Sequence, residues 1–423
     1  MKKLLLIVSL ALGLTSILYS QNINGRITSA LYTFERFDTV NNSTTHARTY
    51  QMVYLNFGNK NITFRTNLNL EGDIAENISY DPRLRVYNFY LDVRNLFDIA
   101  HLKIGRQSVY NVAGSGVFDG ISLRLKYEGF DISGYFGGNV PAYQKFKFTN
   151  DLSNDYVAGG KLTVYSLTNT RFTLRYVNKN FKNVAYSALR EDLNLNDFIA
   201  YINNGSQQFE YLSGEVSYFQ PKNFSINTRY DYDLNFNKTS KFEIFGRYEG
   251  IEKVGLSAYY NYREPKIKYN SIFSVFDYRN SQEIEIGGDY LICRNTKVIG
   301  KYANVIYDDE NSQRVSLGLS TSLGTITARK TFGYAGELTS VSLYTARSIL
   351  EGLLTPSLSF GYTSYKLSSA DETNEMISAL LGLNYRPVRT LSFDVQGQYL
   401  NNKIYSNDLR LLLKINFWFN SNF

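Results

Sequence analysis

Residues Leu409-Arg410-Leu411-Leu412-Leu413-Lys414-Ile415-Asn416-Phe417-Trp418-Phe419 decide how the rest of this chain is read. Every second position (Leu409, Leu411, Leu413, Ile415, Phe417, Phe419) is apolar, and most residues between are polar or charged. Successive side chains of a strand point to opposite faces, so the segment offers one face to lipid and the other to water. The sequence closes on an aromatic residue, Phe423.

Upstream segments repeat the pattern. Ile62, Phe64, Leu68 and Leu70 oppose Thr63, Arg65, Asn67 and Asn69; Ile121, Leu123, Leu125 and Tyr127 oppose Ser122, Arg124 and Lys126. The same holds for Phe224, Ile226, Tyr230 and Tyr232 against Ser225, Asn227, Arg229 and Asp231. A soluble β-sandwich also alternates, so the pattern alone decides little. Two features tip the balance: alternation persists through 21–423 without a domain-like break, and the polar faces carry charges at central positions. Such charges suit a water-filled lumen and are costly in a dry core.

The expected fold is therefore all-β, one transmembrane antiparallel β-barrel over 21–423. Tight turns at Gly58–Asn61, Glu128–Gly129, Thr168–Thr170, Pro221–Asn223, Arg294–Thr296 and Pro387–Arg389 alternate with looser connections. The looser ones fall near 37–45, 72–83, 107–115, 140–154, 180–207, 263–279, 307–311 and 401–408. Counted this way there are 22 candidate strands, within an expected range of 18–22, with short periplasmic turns and longer extracellular loops. Within 180–207, Val184–Leu193 and Asp197–Ile202 are expected to form short helices. That segment either stays solvated outside or folds inward to narrow the lumen, which makes Arg190 a constriction candidate.

Composition agrees. Met1-Lys2-Lys3 followed by the apolar run Leu4 to Leu14 reads as a signal peptide, 1–20, cut near Ser20–Gln21. Tyr (36) and Phe (28) are abundant while the hydrophobic fraction is 43%, as expected when only half of each strand meets lipid and aromatic girdles mark both interfaces. Pro is scarce at 6, as long paired strands require. Cys293 stands alone, so no internal disulfide can form. The formal charge of +7, less the two leader lysines, leaves +5, without a basic run dense enough for nucleic acid.

One local signature stands out: Leu102-Lys103-Ile104-Gly105-Arg106-Gln107, then Gly116-Val117-Phe118-Asp119-Gly120. It resembles the G-R-Q … G-x-F-D-G pattern of bacterial outer-membrane porin-like proteins, including the alginate-export and phosphate-porin types. The final strand likewise resembles the terminal strand of outer-membrane barrels. The resemblance implies a porin of a Gram-negative outer membrane, in contact with membrane lipid and lipopolysaccharide. It also implies delivery to the barrel-assembly machinery through the C-terminal strand ending in Phe423, and is compatible with a homo-oligomer. The matched positions Gly105, Arg106, Asp119 and Gly120, with Gln107, are motif or constriction candidates. Arg106 and Asp119 carry opposite charges flanking the 108–115 loop. They either pin the hairpin as a structural clamp or present Arg106 to passing anions.

By alternation, Arg65, Arg94, Lys103, Arg124, Lys126, Arg175 and Arg229 are pore-lining candidates, opposed by acids such as Asp92, Asp131, Glu215, Glu283, Glu285 and Asp289. A net positive lumen would favour anions, while cross-strand pairing would cancel much of the field. Tyr90, Tyr135, Tyr165 and Tyr259 are inward aromatic candidates. Two isolated histidines, His46 and His101, give no expected metal site, and no catalytic motif or cofactor signature is present. The expected function is passive diffusion of small polar solutes with a weak anion preference. Two alternatives remain: a channel specific for an oligosaccharide or organic anion, and a closed barrel serving as a scaffold or adhesin. An energised receptor is disfavoured by the lack of a plug-like segment.

Overall fold

The computed structural model describes residues 21–422 except 40–41, 76–81, 113, 183–184, 192–196, 203–204, 270–274, 276–278, 308–309, 334–337 and 367–370. The expected leader and Phe423 lie outside the described residues. The strands are, in chain order, β1 (Asn22–Thr39), β2 (Asn42–Gly58), β3 (Ile62–Asp73), β4 (Arg83–Leu96), β5 (Ala100–Asn111), β6 (Gly114–Tyr127), β7 (Phe130–Asn139) and β8 (Tyr156–Val164). There follow β9 (Thr170–Phe181), β10 (Tyr186–Glu191), β11 (Asp197–Ile202), β12 (Gln207–Gln220), β13 (Phe224–Asp233), β14 (Lys238–Ile251), β15 (Val254–Arg263) and β16 (Ser281–Cys293). The last are β17 (Thr296–Tyr307), β18 (Glu310–Thr321), β19 (Gly324–Gly333), β20 (Leu338–Ala346), β21 (Leu354–Tyr365), β22 (Asn374–Val388), β23 (Leu391–Asn401) and β24 (Asp408–Asn422).

Twenty-two of these form one antiparallel sheet in which strands adjacent in sequence pair, and β10–β11 form a separate two-stranded sheet. β9 pairs directly with β12, which leaves the β10–β11 excursion outside the wall. The sheet closes where β24 returns to β1, from Asn22↔Asn422 to Thr33↔Leu411. Closure matters physically. An open edge in hydrocarbon would leave a row of backbone donors and acceptors unpaired, each costing several kcal/mol.

The terminal strand shows how sequence makes the wall. Leu409, Leu411, Leu413, Ile415 and Phe417 stand exposed on its outer face, Leu409 at 69%. On the opposite face, Asn416 accepts from the Thr28 hydroxyl (2.9 Å) and donates to Ser392 (3.1 Å) and Asp394 (2.9 Å). The closing seam is thus greasy outside and hydrogen-bonded inside. Connections at one end are short, as at Glu128–Gly129 between β6 and β7. The first such turn is fixed by Asn59, whose Oδ1 accepts from the backbone N–H of Asn61 (2.9 Å) and Ile62 (2.8 Å). The other end carries the long connections, among them 140–155, 182–206 and 264–280.

Two expectations are corrected. Residues 107–115 are not a loop: β5 and β6 run through them and the ladder continues to Asn111↔Gly114. Glycine, serine and asparagine there resemble loop composition, but their backbones pair once the hairpin has a surface to lie on. Nor do Val184–Leu193 and Asp197–Ile202 form helices; the described residues form the β10–β11 hairpin, Tyr186↔Ile202 to Glu191↔Asp197. Helix propensity is a weak prior in pieces this short, and the two-strand ladder satisfies backbone groups that a single helical turn leaves unpaired.

Candidate functional site

The inner wall is built from strand alternation, and its charges are largely compensated. Asp92 accepts from Arg65 (3.0 Å), Arg94 (2.8 Å) and His101. Arg124 grips Asp131 through Nε at 2.9 Å. Arg175 pairs with Glu215 at 2.7 Å. Arg229 pairs with Asp231 at 2.9 Å, and Asp231 also accepts from the Ser213 hydroxyl at 2.6 Å. Lys103 lies 5.4 Å from the ring centroid of Tyr90, and Lys126 is exposed. Across the barrel, Glu285 joins Lys301 and Arg314, and Asp289 joins Arg247 and Lys297. The Arg124–Asp131 and Arg229–Asp231 pairs engage both carboxylate oxygens, which makes them strong, oriented contacts rather than free positive charge.

The G-R-Q and F-D-G segments occupy a distinctive place in that wall. Gly105 pairs with Gly120, and Gly120 pairs with Gly137, so three glycines stand in one line across β5, β6 and β7. A Cβ on Gly120 would overlap the Phe136 carbonyl oxygen and fall 2.6 Å from Gly137 Cα; one on Gly137 would fall 2.7 Å from Gly120 Cα. The Cβ directions therefore lie along the sheet, toward the next strand, as at a sharp bend where only glycine fits. Gly105 adds a φ of +124°, which side-chain-bearing residues rarely adopt.

Beyond this crease the β5–β6 hairpin leaves the wall. Val112, at its tip, packs with Val177 of β9 and Tyr211 of β12 in a buried cluster flanked by Phe209. Between β6 and β12 along the wall stand β7, β8 and β9. A tip reaching Tyr211 has to cross the lumenal face of that wall. Asn111 donates to the Tyr135 hydroxyl at 3.2 Å on the way, and Phe118, almost wholly buried, packs on the Tyr135 ring. Gln107 holds the fold line from inside: its amide donates to the Gly120 carbonyl (3.2 Å) and accepts from the Ser122 hydroxyl (2.6 Å).

A second segment meets the tip. Residues 264–269, which follow β15, cross toward β12, where the Tyr269 N–H donates to the Gln208 carbonyl at 2.9 Å. The Lys266 ammonium donates to the Val112 carbonyl and lies 5.4 Å from the Tyr211 ring centroid. Burial pushes the Lys266 amine below its ordinary range. Lys179 and Lys268 flank one ring, Phe181, at 4.6 and 5.2 Å from its centroid. A 22-stranded barrel has a backbone diameter of roughly 40 Å at the usual strand spacing and tilt. The hairpin tip and 264–269 thus occupy part of that wide cross-section.

Arg106 and Asp119 do not face that passage. They pair in register through two bonds of 2.7 Å, Nε to Oδ1 and Nη2 to Oδ2. By alternation they lie on the face opposite Gln107 and Phe118. Arg106 is 1% exposed, and its remaining N–H groups donate to the carbonyls of Val86, Gln144, Lys145 and Lys147. The expectation that Arg106 meets passing anions is corrected by this geometry; the clamp is what the contacts describe. Its charge is spent on one carboxylate and a nest of carbonyls. Arg190 lies in β10, outside the barrel sheet, and its side chain lies outside the described residues.

Sequence reasoning missed Lys266 and Lys268, because loop residues have no alternation to orient them, and it passed over Lys179, which alternation along β9 places on the same face as Arg175. It also left both histidines without partners. His46 bonds Asp73 at 2.8 Å and stacks on Phe34, and His101 bonds Asp92. In each case the acid lies on a neighbouring or next strand, a pairing that only register reveals.

No protein-family model matches the chain, and no curated protein matches it. Solved structures do. A mutant ferric enterobactin receptor (PfeA) from Pseudomonas aeruginosa aligns with a TM-score of 0.57 at 10% identity, over 95% of this chain and 81% of that one. The copper transporter OprC aligns at 0.56 and 9% identity, over 94% and 80%. OccAB1 of Acinetobacter baumannii aligns at 0.43 and 10%, over 95% and 96%. At such identities the likeness is one of fold. The chain has the architecture of a large outer-membrane β-barrel.

Proposed function

We propose that this barrel is an outer-membrane channel of a Gram-negative bacterium that passes small polar solutes by passive diffusion, with a preference for anions. The observation that carries the reading is the narrowed lumen: a closed, charge-lined barrel whose passage is constricted where the hairpin tip meets residues 264–269. Diffusion through such a passage needs no reacting group. Charged and hydrogen-bonding walls replace part of a solute's hydration, the constriction sets a size limit, and charge at the narrowest point biases ion choice. Wall arginines contribute little to that bias because carboxylates compensate them. Lys179, Lys266 and Lys268 add positive charge at the constriction, where the path is tightest and screening by water weakest.

The G-R-Q … G-x-F-D-G segments support a porin-type reading on geometric grounds, since they are the residues that build the crease. The aromatic residues beside the lysines (Phe181, Phe209 and Tyr211) favour a second reading, a channel selective for an anionic organic solute. Liposome swelling separates these readings from a closed scaffold. Proteoliposomes are expected to swell with small sugars and faster with small carboxylates of equal size. Replacing Lys179, Lys266 and Lys268 with Gln should abolish the difference. Folded protein that admits no solute would overturn the channel reading.

A further inference from the structure

We infer that Arg106 is the positioning residue of the constriction: it holds the creased hairpin inside the lumen by tying it to a seam in the barrel wall, and so sets the size limit. The inference rests on the channel reading above and deepens it. β4 begins at Arg83 and β5 runs to Asn111, yet their ladder ends at Phe89↔Arg106. Where the hairpin bends inward, therefore, the edge of β4 loses its partner and the wall opens along a seam. Residues 141–148 lie along that seam. The Tyr143 ring sits 4.1 Å from the Arg83 guanidinium, and the Phe146 ring packs edge-on against Phe89 at 5.5 Å.

Arg106 stands where the three pieces meet. One edge of its guanidinium takes Asp119 on β6, and Nη1 reaches the Val86 carbonyl on β4 (3.3 Å) and the carbonyls of Gln144 (3.1 Å) and Lys145 (2.8 Å). Only a planar fork with five donors can serve a carboxylate and two separate backbones at once; a lysine ammonium, a point charge with three donors, cannot. Without Arg106 the Asp119 carboxylate and four carbonyls lose their donor. The hairpin then has no tie to β4, and relaxation toward the wall widens the passage.

The test compares wild type, Arg106→Ala and Arg106→Lys in planar bilayers, using polyethylene glycols of graded size to find the exclusion limit. In parallel, a bifunctional thiol reagent reports hairpin position in a Val112→Cys, Lys266→Cys protein with Cys293→Ser, with and without Arg106. Loss of Arg106 should raise conductance roughly two-fold or more, admit larger polymers and lower the cross-linking yield, and Lys should not restore them. Folded Arg106→Ala with wild-type conductance, exclusion limit and cross-linking overturns the inference. Should that variant fail to fold, Asp119→Asn, which keeps the shape and removes the charge, is read against the same outcomes. Cross-linking needs no current: a silent wild type whose yield still depends on Arg106 overturns the channel reading and leaves the positioning role supported.

Discussion

Asp92 carries more of the inner wall than any single acid near it. It is 1% exposed and is shared by Arg65, Arg94 and His101. Removing it leaves cations facing one another without their common acceptor. Asp92→Ala is expected to cost about 2–4 kcal/mol of stability, read as a shifted urea midpoint, because charged hydrogen bonds are lost and their partners are stranded. A solvated residue behaves differently. Lys182, Ser153 and Asn154 hold the Asp151 carboxyl down at about 2, well below its ordinary value. For a depressed acid the stabilisation is present above the ordinary carboxylate range and is lost as pH falls through the folded value. The tether between 140–154 and Lys182 should therefore persist from neutral pH down to about pH 3 and fail only below that. Pepsin cleavage of 140–154 should rise late in wild type and early in Asp151→Asn.

At the scale of elements, the two-residue periodicity of β24 sets adjacent residues in sharp contrast. Leu413 faces outward and Leu412, paired with Tyr32, faces the lumen. Leu413→Arg should cost about 2–4 kcal/mol in folding into lipid if it lies near the midplane, whereas Leu412→Arg should be tolerated. Folding yields into vesicles measure both; equal losses would mean the facing is misassigned. The β10–β11 hairpin lies outside the closed sheet, with Leu189 and Ile199 exposed. Deleting 186–202 should therefore leave single-channel conductance unchanged. Much of this was legible in the sequence, because lipid on one side and water on the other impose alternation strand after strand, and the terminal strand shows it plainly. The crease was not legible. Gly105, Gly120 and Gly137 come from three strands, and their alignment exists only once register is set. Nor did the sequence reveal Lys266 reaching Val112, since an irregular segment carries no periodicity from which to infer direction.

In the whole molecule three levels of structure join. Alternating strands close into a 22-stranded barrel, paired charges stabilise its wet face, and a creased hairpin with 264–269 narrows the passage. On the channel reading proposed above, the wide barrel supplies the path and the inward segments supply discrimination. The most direct measurement of the central claim is single-channel current from the purified, refolded protein in a planar bilayer under a salt gradient. Discrete conductance steps with a reversal potential of the sign that marks anion flow are the predicted result. A correctly folded barrel that inserts and stays silent would contradict it.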